Sequence, residues 1–348
     1  MTESKYHLVY YGILFFAIIL LSLHKRFNKF YGKFIIAFVI TAISLFIGTR
    51  PEQVGTDTEI YMRWIQTVSG YSSLSLQNLG LDPLFSLLLY YLSIFGGTAF
   101  PLIAISFITN LVTYHFCKKI NNNNPTLFPA QLMLLASMAS FSFFNQQINV
   151  IRIGLAMGFA LMFSINLLYK QKKQTFWWGV AAILSHFSTI FLIGPALLVH
   201  ITNIKIKYYL IAYAVTVAVS AVGYSILDSG IFALVAFSKI NTYAQGATYG
   251  YEVGFRPAFV LFNTFFLFLF LYLRRNADYR TDYYLKIYII TSIIFFLWFA
   301  LPFSDRIGAF SWNILPIMLS IFLCNRYKKC SLKAASFVLL YAFICFMI

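Results

Sequence analysis

Four arginines in this 348-residue chain stand where a cation serves a ligand better than a topology signal. Arg50, Arg152, Arg256 and Arg306 each lie at the mouth of an apolar run. A guanidinium forks onto phosphate or carboxylate in a bidentate way that an ammonium cannot reproduce. At mid-membrane an arginine costs about 2.5–3.5 kcal/mol on insertion scales, and less near an interface. Such residues therefore face a cavity or a partner. Before Arg152 come Asn145, Gln146, Gln147 and Asn149. These read either as a diphosphate clamp whose amides, Gln146 and Asn149 among them, contact sugars, or as a polar turn capping two helices. His186 interrupts an apolar stretch beside Ser185 and Ser188. Imidazole as a class titrates near neutrality, which suits a general base for an acceptor hydroxyl. The plainer reading is a buried histidine bonded to a carbonyl, allowing a helix break.

The remaining polar candidates sit in stretches that read as outer loops. Asp57, in Gly55-Thr56-Asp57-Thr58, is either the cap of the next helix or a base or sugar-binding carboxylate. Tyr61, Arg63 and Trp64 would ride on that helix. The segment 241–256 carries Tyr243, Tyr249, Tyr251, Glu252 and Arg256 among Gly246, Gly250 and Gly254. Rings on a Gly-rich loop suit sugar faces and lid motion. An interfacial aromatic belt explains the tyrosines but not the glycines. Asp305 and Arg306 form a last candidate for phosphate contact, or an ordinary ion pair.

The elements that must position these residues are membrane helices. Sixty per cent of the residues are hydrophobic and ten per cent charged, against about a quarter charged in soluble domains. Thirteen apolar runs between residues 6 and 348 predict an all-α polytopic bundle of about 11–13 membrane segments, some short or re-entrant, in a single integral-membrane domain over 1–348. The run 6–23 reads as the first span, since no small-residue cleavage site follows it. The net charge of +16 does not mark a nucleic-acid binder, because the cations fall in short clusters between apolar runs rather than along a basic stripe. The positive-inside rule puts those clusters in the cytoplasm. They hold 19 of the 26 basic residues, and the exceptions are Lys5, Arg50, Arg63, Arg152, Lys239, Arg256 and Arg306. Five of these seven are arginine, against five of the 19 inside, a bias that a topology signal does not produce but a ligand does.

Parity fails at two places if each run is one full crossing. Run 83–95 is too short for a span of about 20 residues and is expected to be a re-entrant or interfacial half-helix. Stretch 175–200 is expected as two pieces meeting near Ser185–Ser188. The outer loops are then about 49–82, a tight turn at 145–149, about 228–256 and 302–308. Cys117, Cys324, Cys330 and Cys345 match no zinc or redox spacing and are read as free thiols.

The stretch Gly48-Thr-Arg50-Pro-Glu-Gln-Val-Gly55-Thr56-Asp57-Thr58-x-x-Tyr61, then Asn149-Val-Ile-Arg152-Ile-Gly-Leu-Ala156, then Leu184-Ser-His186-Phe-Ser188, and finally Asp305-Arg306 together resemble the EpsG/Wzy family of bacterial polysaccharide polymerases. One departure is Ile153, where the family often has Gln. The resemblance implies a GT-C-like, Wzy-type membrane glycosyltransferase. Such proteins join repeat units carried on undecaprenyl diphosphate at the outer face of the bacterial inner (cytoplasmic) membrane. It implies a lipid-linked oligosaccharide as substrate, no cofactor and no metal, membrane lipids as surroundings, and a chain-length regulator membrane protein as a further class of partner. The sequence itself has no Asp-x-Asp motif for a metal–nucleotide complex and no Walker-type loop. Two alternatives stay open. An O-antigen ligase usually carries a larger late outer loop than the roughly 30 residues here. A lipid-linked oligosaccharide flippase should carry cations at mid-span as well as at one face.

Overall fold

A computed structural model describes residues 3–22, 29–71, 82–121, 128–224, 253–274, 279–326 and 331–347. Among the described residues all regular structure is helical. Among the described residues five helices are long and apolar enough to cross a membrane, and five further apolar helices of 10–17 residues are shorter. The chain is a multi-pass all-α membrane protein. Its Cα packing separates two compact units, Met1–Ile193 with Leu319–Ile348, and Gly194–Met318.

The first unit opens with α1 (Glu3–Ser22) and α2 (Lys29–Gly48). An amphipathic helix, α3 (Thr58–Ser69), follows, burying Thr58, Tyr61, Ile65 and Val68. Then comes α4 (Pro83–Ser93), only 11 residues long and too short for a full crossing. Long α5 (Ala99–Ile120) leads to α6 (Phe128–Met138), α7 (Phe141–Ile148) and α8 (Ile151–Leu168). Nearly every residue of α8 is buried, as expected of a helix at the centre of a bundle. Its glycines allow close approach: a Cβ on Gly154 would lie 2.7 Å from the Gln146 carbonyl, and one on Gly158 would lie 3.3 Å from Val112 of α5. Small residues at such crossings are the usual device in membranes.

One expectation needs correction. The apolar run 126–144 is not one helix, and 145–149 is not a loop. The chain breaks at Ala139–Ser140, and α7 then runs on to Ile148, so the reversal narrows to Asn149–Val150. The break is possible because the freed carbonyls are taken by phenols of α1. Tyr10 donates to Met138 O at 2.7 Å and Tyr11 to Ala139 O at 3.0 Å. Non-helical backbone at membrane depth persists only where protein satisfies it in this way. Likewise, the expected outer loop 302–308 is already helical from Ser304.

The expected break near Ser185–Ser188 is present. Helix α9 (Lys172–Ser185) stops, a 3-10 turn spans Phe187–Thr189, and α10 (Ile190–Ile201) resumes.

The second unit contains α11 (Ile206–Ala221), α12 (Pro257–Leu273), α13 (Tyr279–Leu297) and α14 (Ser304–Trp312). The chain ends through α15 (Ile314–Arg326) and α16 (Ser331–Met347). In the second unit one amide ties three helices. Asn263 of α12 donates to Ser292 of α13 at 3.0 Å and to Ser311 of α14 at 3.2 Å. Its side-chain oxygen accepts from Trp312 Nε1 at 2.9 Å, and its backbone carbonyl from the Tyr288 hydroxyl at 2.8 Å. Replacing Asn263 by Leu strands the Trp312 indole N–H. The expected cost is about 1–3 kcal/mol, read as a lower melting temperature in detergent; an unchanged melting temperature would show that the amide does not hold these helices.

Candidate functional site

The helix break in the first unit carries its own explanation. His186 adopts an extended backbone, φ −165° and ψ 123°. Its N–H still reaches Ala182 O at 3.0 Å. Its carbonyl accepts from Thr189 twice, from the backbone N–H at 3.1 Å and from the hydroxyl at 2.8 Å. With the backbone satisfied, the ring is free to serve something else. Beside it, the hydroxyls of Ser185 and Ser188 are buried and have no hydrogen-bond partner among the described residues.

What the imidazole faces is Asp82. This residue precedes Pro83, the first residue of α4, a position where proline's missing N–H costs nothing and where the helix dipole favours a carboxylate. Asp82 is 4% exposed. Its Oδ1 lies 3.4 Å from His186 Nδ1, longer than a formed N–H···O bond but within ion-pair range once the ring is protonated. Its Oδ2 accepts from Arg152 Nη1. Burial works to raise the carboxyl, but the nearby His186, together with the charge and bond of Arg152, outweighs it and holds Asp82 below its ordinary value. One carboxylate thus serves two bases from two other helices.

Arg152 is the second residue of α8, so its side chain leaves the bundle at a helix start. The guanidinium stands 5.4 Å over the Trp64 ring, and the Tyr61 phenol is within hydrogen-bonding reach. Its Nε is buried and unbonded among the described residues, while the side chain as a whole is about a third exposed. A cation anchored at one nitrogen, backed by two rings and partly open, has the geometry with which a guanidinium can take an anion. Asp57, Tyr61 and Trp64 follow one another along one face of α3 by helical spacing. Asp57 occupies the position before α3 but makes no side-chain capping bond; its Oδ1 instead accepts from the Thr56 hydroxyl at 3.2 Å. The carboxylate is half-buried.

Other expected site residues have structural partners. Arg50 is 3% exposed, and its donors are turned inward: Nε to the Thr58 hydroxyl at 2.9 Å, Nη1 to Ile47 O at 2.9 Å and Nη2 to Ile148 O at 3.0 Å. It closes the C-terminal turn of α2 and ties it to the α7 end and to α3. Asn149 accepts the Thr56 N–H at 2.8 Å and donates to Asn145 at 2.6 Å. Gly55 makes this seating possible, since at φ +86° a Cβ would strike Ile148 at 2.3 Å and Asn149 at 2.5 Å. Gln146 is buried, and its amide nitrogen has no partner among the described residues.

In the second unit, Arg256 immediately precedes α12 and lies 5.5 Å over Phe259. Arg306 is the third residue of α14 and lies 4.5 Å over Phe303. Phe303 has φ +62°, a left-handed backbone that is rare for an aromatic residue. Asp305 sits in the same first turn as Arg306 and forms no ion pair with it. The two arginines share one end of the unit, where Gly254 N bonds Phe299 O at 2.8 Å. Tyr249, Tyr251 and Glu252 lie outside the described residues.

Asp82 is the central group of the cluster and is absent from the residues singled out in the sequence. A signal was present: it is the only Asp or Glu between Glu59 and Asp228, so every cation of that long stretch has one acid to meet. The inward role of Arg50 is directly testable. Arg50→Lys cannot make all three bonds, and it should lower thermal stability by about 1–3 kcal/mol while activity per folded molecule persists. Lost activity at unchanged stability would return Arg50 to the ligand.

A search of curated proteins and a search of solved structures each find no match. The profile of the EpsG family matches residues 33–348. That span takes in Arg50, Asp57, Asp82, Arg152, His186, Arg256 and Arg306, and on it the chain belongs to the EpsG family.

Proposed function

We propose that this protein is a polysaccharide repeat-unit polymerase, a glycosyltransferase that moves a growing glycan from undecaprenyl diphosphate to a sugar hydroxyl of an incoming lipid-linked unit at the outer face of the cytoplasmic membrane. Membership of the EpsG family supports a polysaccharide polymerase-type role in general. The observation that carries the finer reading is the Arg152–Asp82–His186 constellation, set at a helix start and a helix break.

The chemistry follows from the atoms. The acceptor hydroxyl oxygen attacks the anomeric carbon of the donor sugar, and the bond from that carbon to the diphosphate oxygen breaks. The hydroxyl proton passes to His186 Nε2, which forms no hydrogen bond among the described residues. Asp82 holds the ring through Nδ1 and offsets the positive charge it gains. The diphosphate leaves with the bonding electron pair. Arg152 meets the charge that develops on it, as fixed donors at a leaving group do. Trp64 and Tyr61 keep the guanidinium aimed, and Asp57, one turn before Tyr61, would accept from sugar hydroxyls.

Purified protein given a synthetic lipid-diphosphate repeat unit should produce a ladder of longer lipid-linked glycans. Arg152→Lys keeps a cation for Asp82 but loses the fork, and the rate should fall by about 10²–10³-fold. His186→Gln should lose about 10²–10⁴-fold. Asp82→Asn should cost less than either, because it removes the charge beside the ring but leaves both the base and the guanidinium in place. No ladder from the unaltered protein, or full activity in both Arg152→Lys and His186→Gln, would overturn the reading. Transport of the unit across vesicles without elongation would favour a flippase, and transfer to a lipid A core a ligase.

A further inference from the structure

On the first unit, away from the Asp82 cluster, a groove of about 350 Å³ runs between α2 and α5, within the size range of small-molecule sites. Ile36 and Ile40 from α2 and Phe107 and Leu111 from α5 form its wall, with Lys33, Tyr114 and Lys118 also lining it. The two helices run antiparallel, because Gly48 at the end of α2 sits against Ile103 near the start of α5. Lys33 and Lys118 therefore share the other end, the one the positive-inside rule assigns to the cytoplasm.

We propose that this groove binds one anionic glycerophospholipid of the inner leaflet, with its phosphodiester on Lys33 and Lys118 and an acyl chain along the apolar wall. The charge argument is specific. The sequence has no Asp or Glu between Glu3 and Glu52, and none between Asp82 and Asp228. Neither lysine forms an ion pair among the described residues. Lys119, the next residue, shows the contrast: its ammonium is satisfied inside the protein by the side-chain oxygens of Asn166, Gln171 and Gln174. Lys118 instead stands 5.9 Å over the Tyr114 ring at the groove. No acid among the described residues supplies a counter-anion for Lys33 and Lys118, and the apolar wall leading from them suits an external anion that carries a hydrocarbon tail.

The test is native mass spectrometry of the delipidated full chain titrated with phosphatidylglycerol or phosphatidylethanolamine. Lys33→Gln/Lys118→Gln should weaken the first phosphatidylglycerol by about tenfold or more, at roughly 1 kcal/mol per basic residue. Leu111→Trp, which fills the groove and keeps both charges, should weaken it comparably. Lys172→Gln/Lys173→Gln removes the same charge from exposed positions outside the groove and should leave that first lipid in place. Equal loss in both lysine pairs would mean diffuse surface charge and overturn the proposal. So would equal affinity for phosphatidylethanolamine, an inert Leu111→Trp, or displacement of the lipid by millimolar inorganic phosphate.

Discussion

A helix that stops inside a bilayer exposes carbonyls and amides to a medium with nothing to offer them. That constraint organises this molecule. Three interruptions in the first unit are closed by named side chains: Tyr10 and Tyr11 from α1 at the α6–α7 break, Thr189 within the turn at the His186 break, and Arg50 at the end of α2. In each case a group with spare hydrogen-bonding capacity is placed where the backbone has lost its partner. The fold can then afford short and broken helices without leaving polar backbone in hydrocarbon.

The same constraint explains why the polar chemistry gathers where it does. An unbroken span has no reason to bring a carboxylate, a guanidinium and an imidazole to one place. A helix start at Arg152, a short helix beginning at Asp82 and a break at His186 do so, because helix ends turn side chains out of the lateral wall and supply partial charges of their own. Asp82 is tolerable at 4% exposure because two bases share it. Remove either and the remainder is a buried charge with half its compensation, which is far costlier than never having built the pair.

Charge parity and segment length reveal much of this plan in the sequence. The short α4 and the interruption at His186 are both expected once Lys118, Lys119, Lys205 and Lys207 are assigned to one face by the positive-inside rule. Arg152 follows from its place at the head of a span, preceded by amides. Arg50 looks the same by those criteria, yet its donors close on Ile47, Thr58 and Ile148. The difference is set by a carbonyl 98 positions away in the chain, and no local pattern encodes it. Asp82 is hidden for the opposite reason: an Asp before a proline at a helix start is a common arrangement, which masks its being the sole acid between Glu59 and Asp228. The α6–α7 break is only faintly marked in the sequence, by Ser137, Ser140 and Ser142 within an otherwise apolar run, and the phenols that permit it lie on α1.

Asn263 has a mechanical consequence. It sits two turns into α12 from Arg256, and its bonded partner Trp312 lies six residues beyond Arg306 on α14. With both helices clamped to one amide and to α13, neither can slide along its axis or rotate without breaking several bonds at once. The two guanidiniums at that end therefore behave as fixed points on one stiff frame. The helix starts that carry them keep a set spacing, and any motion that shifts one brings the other with it.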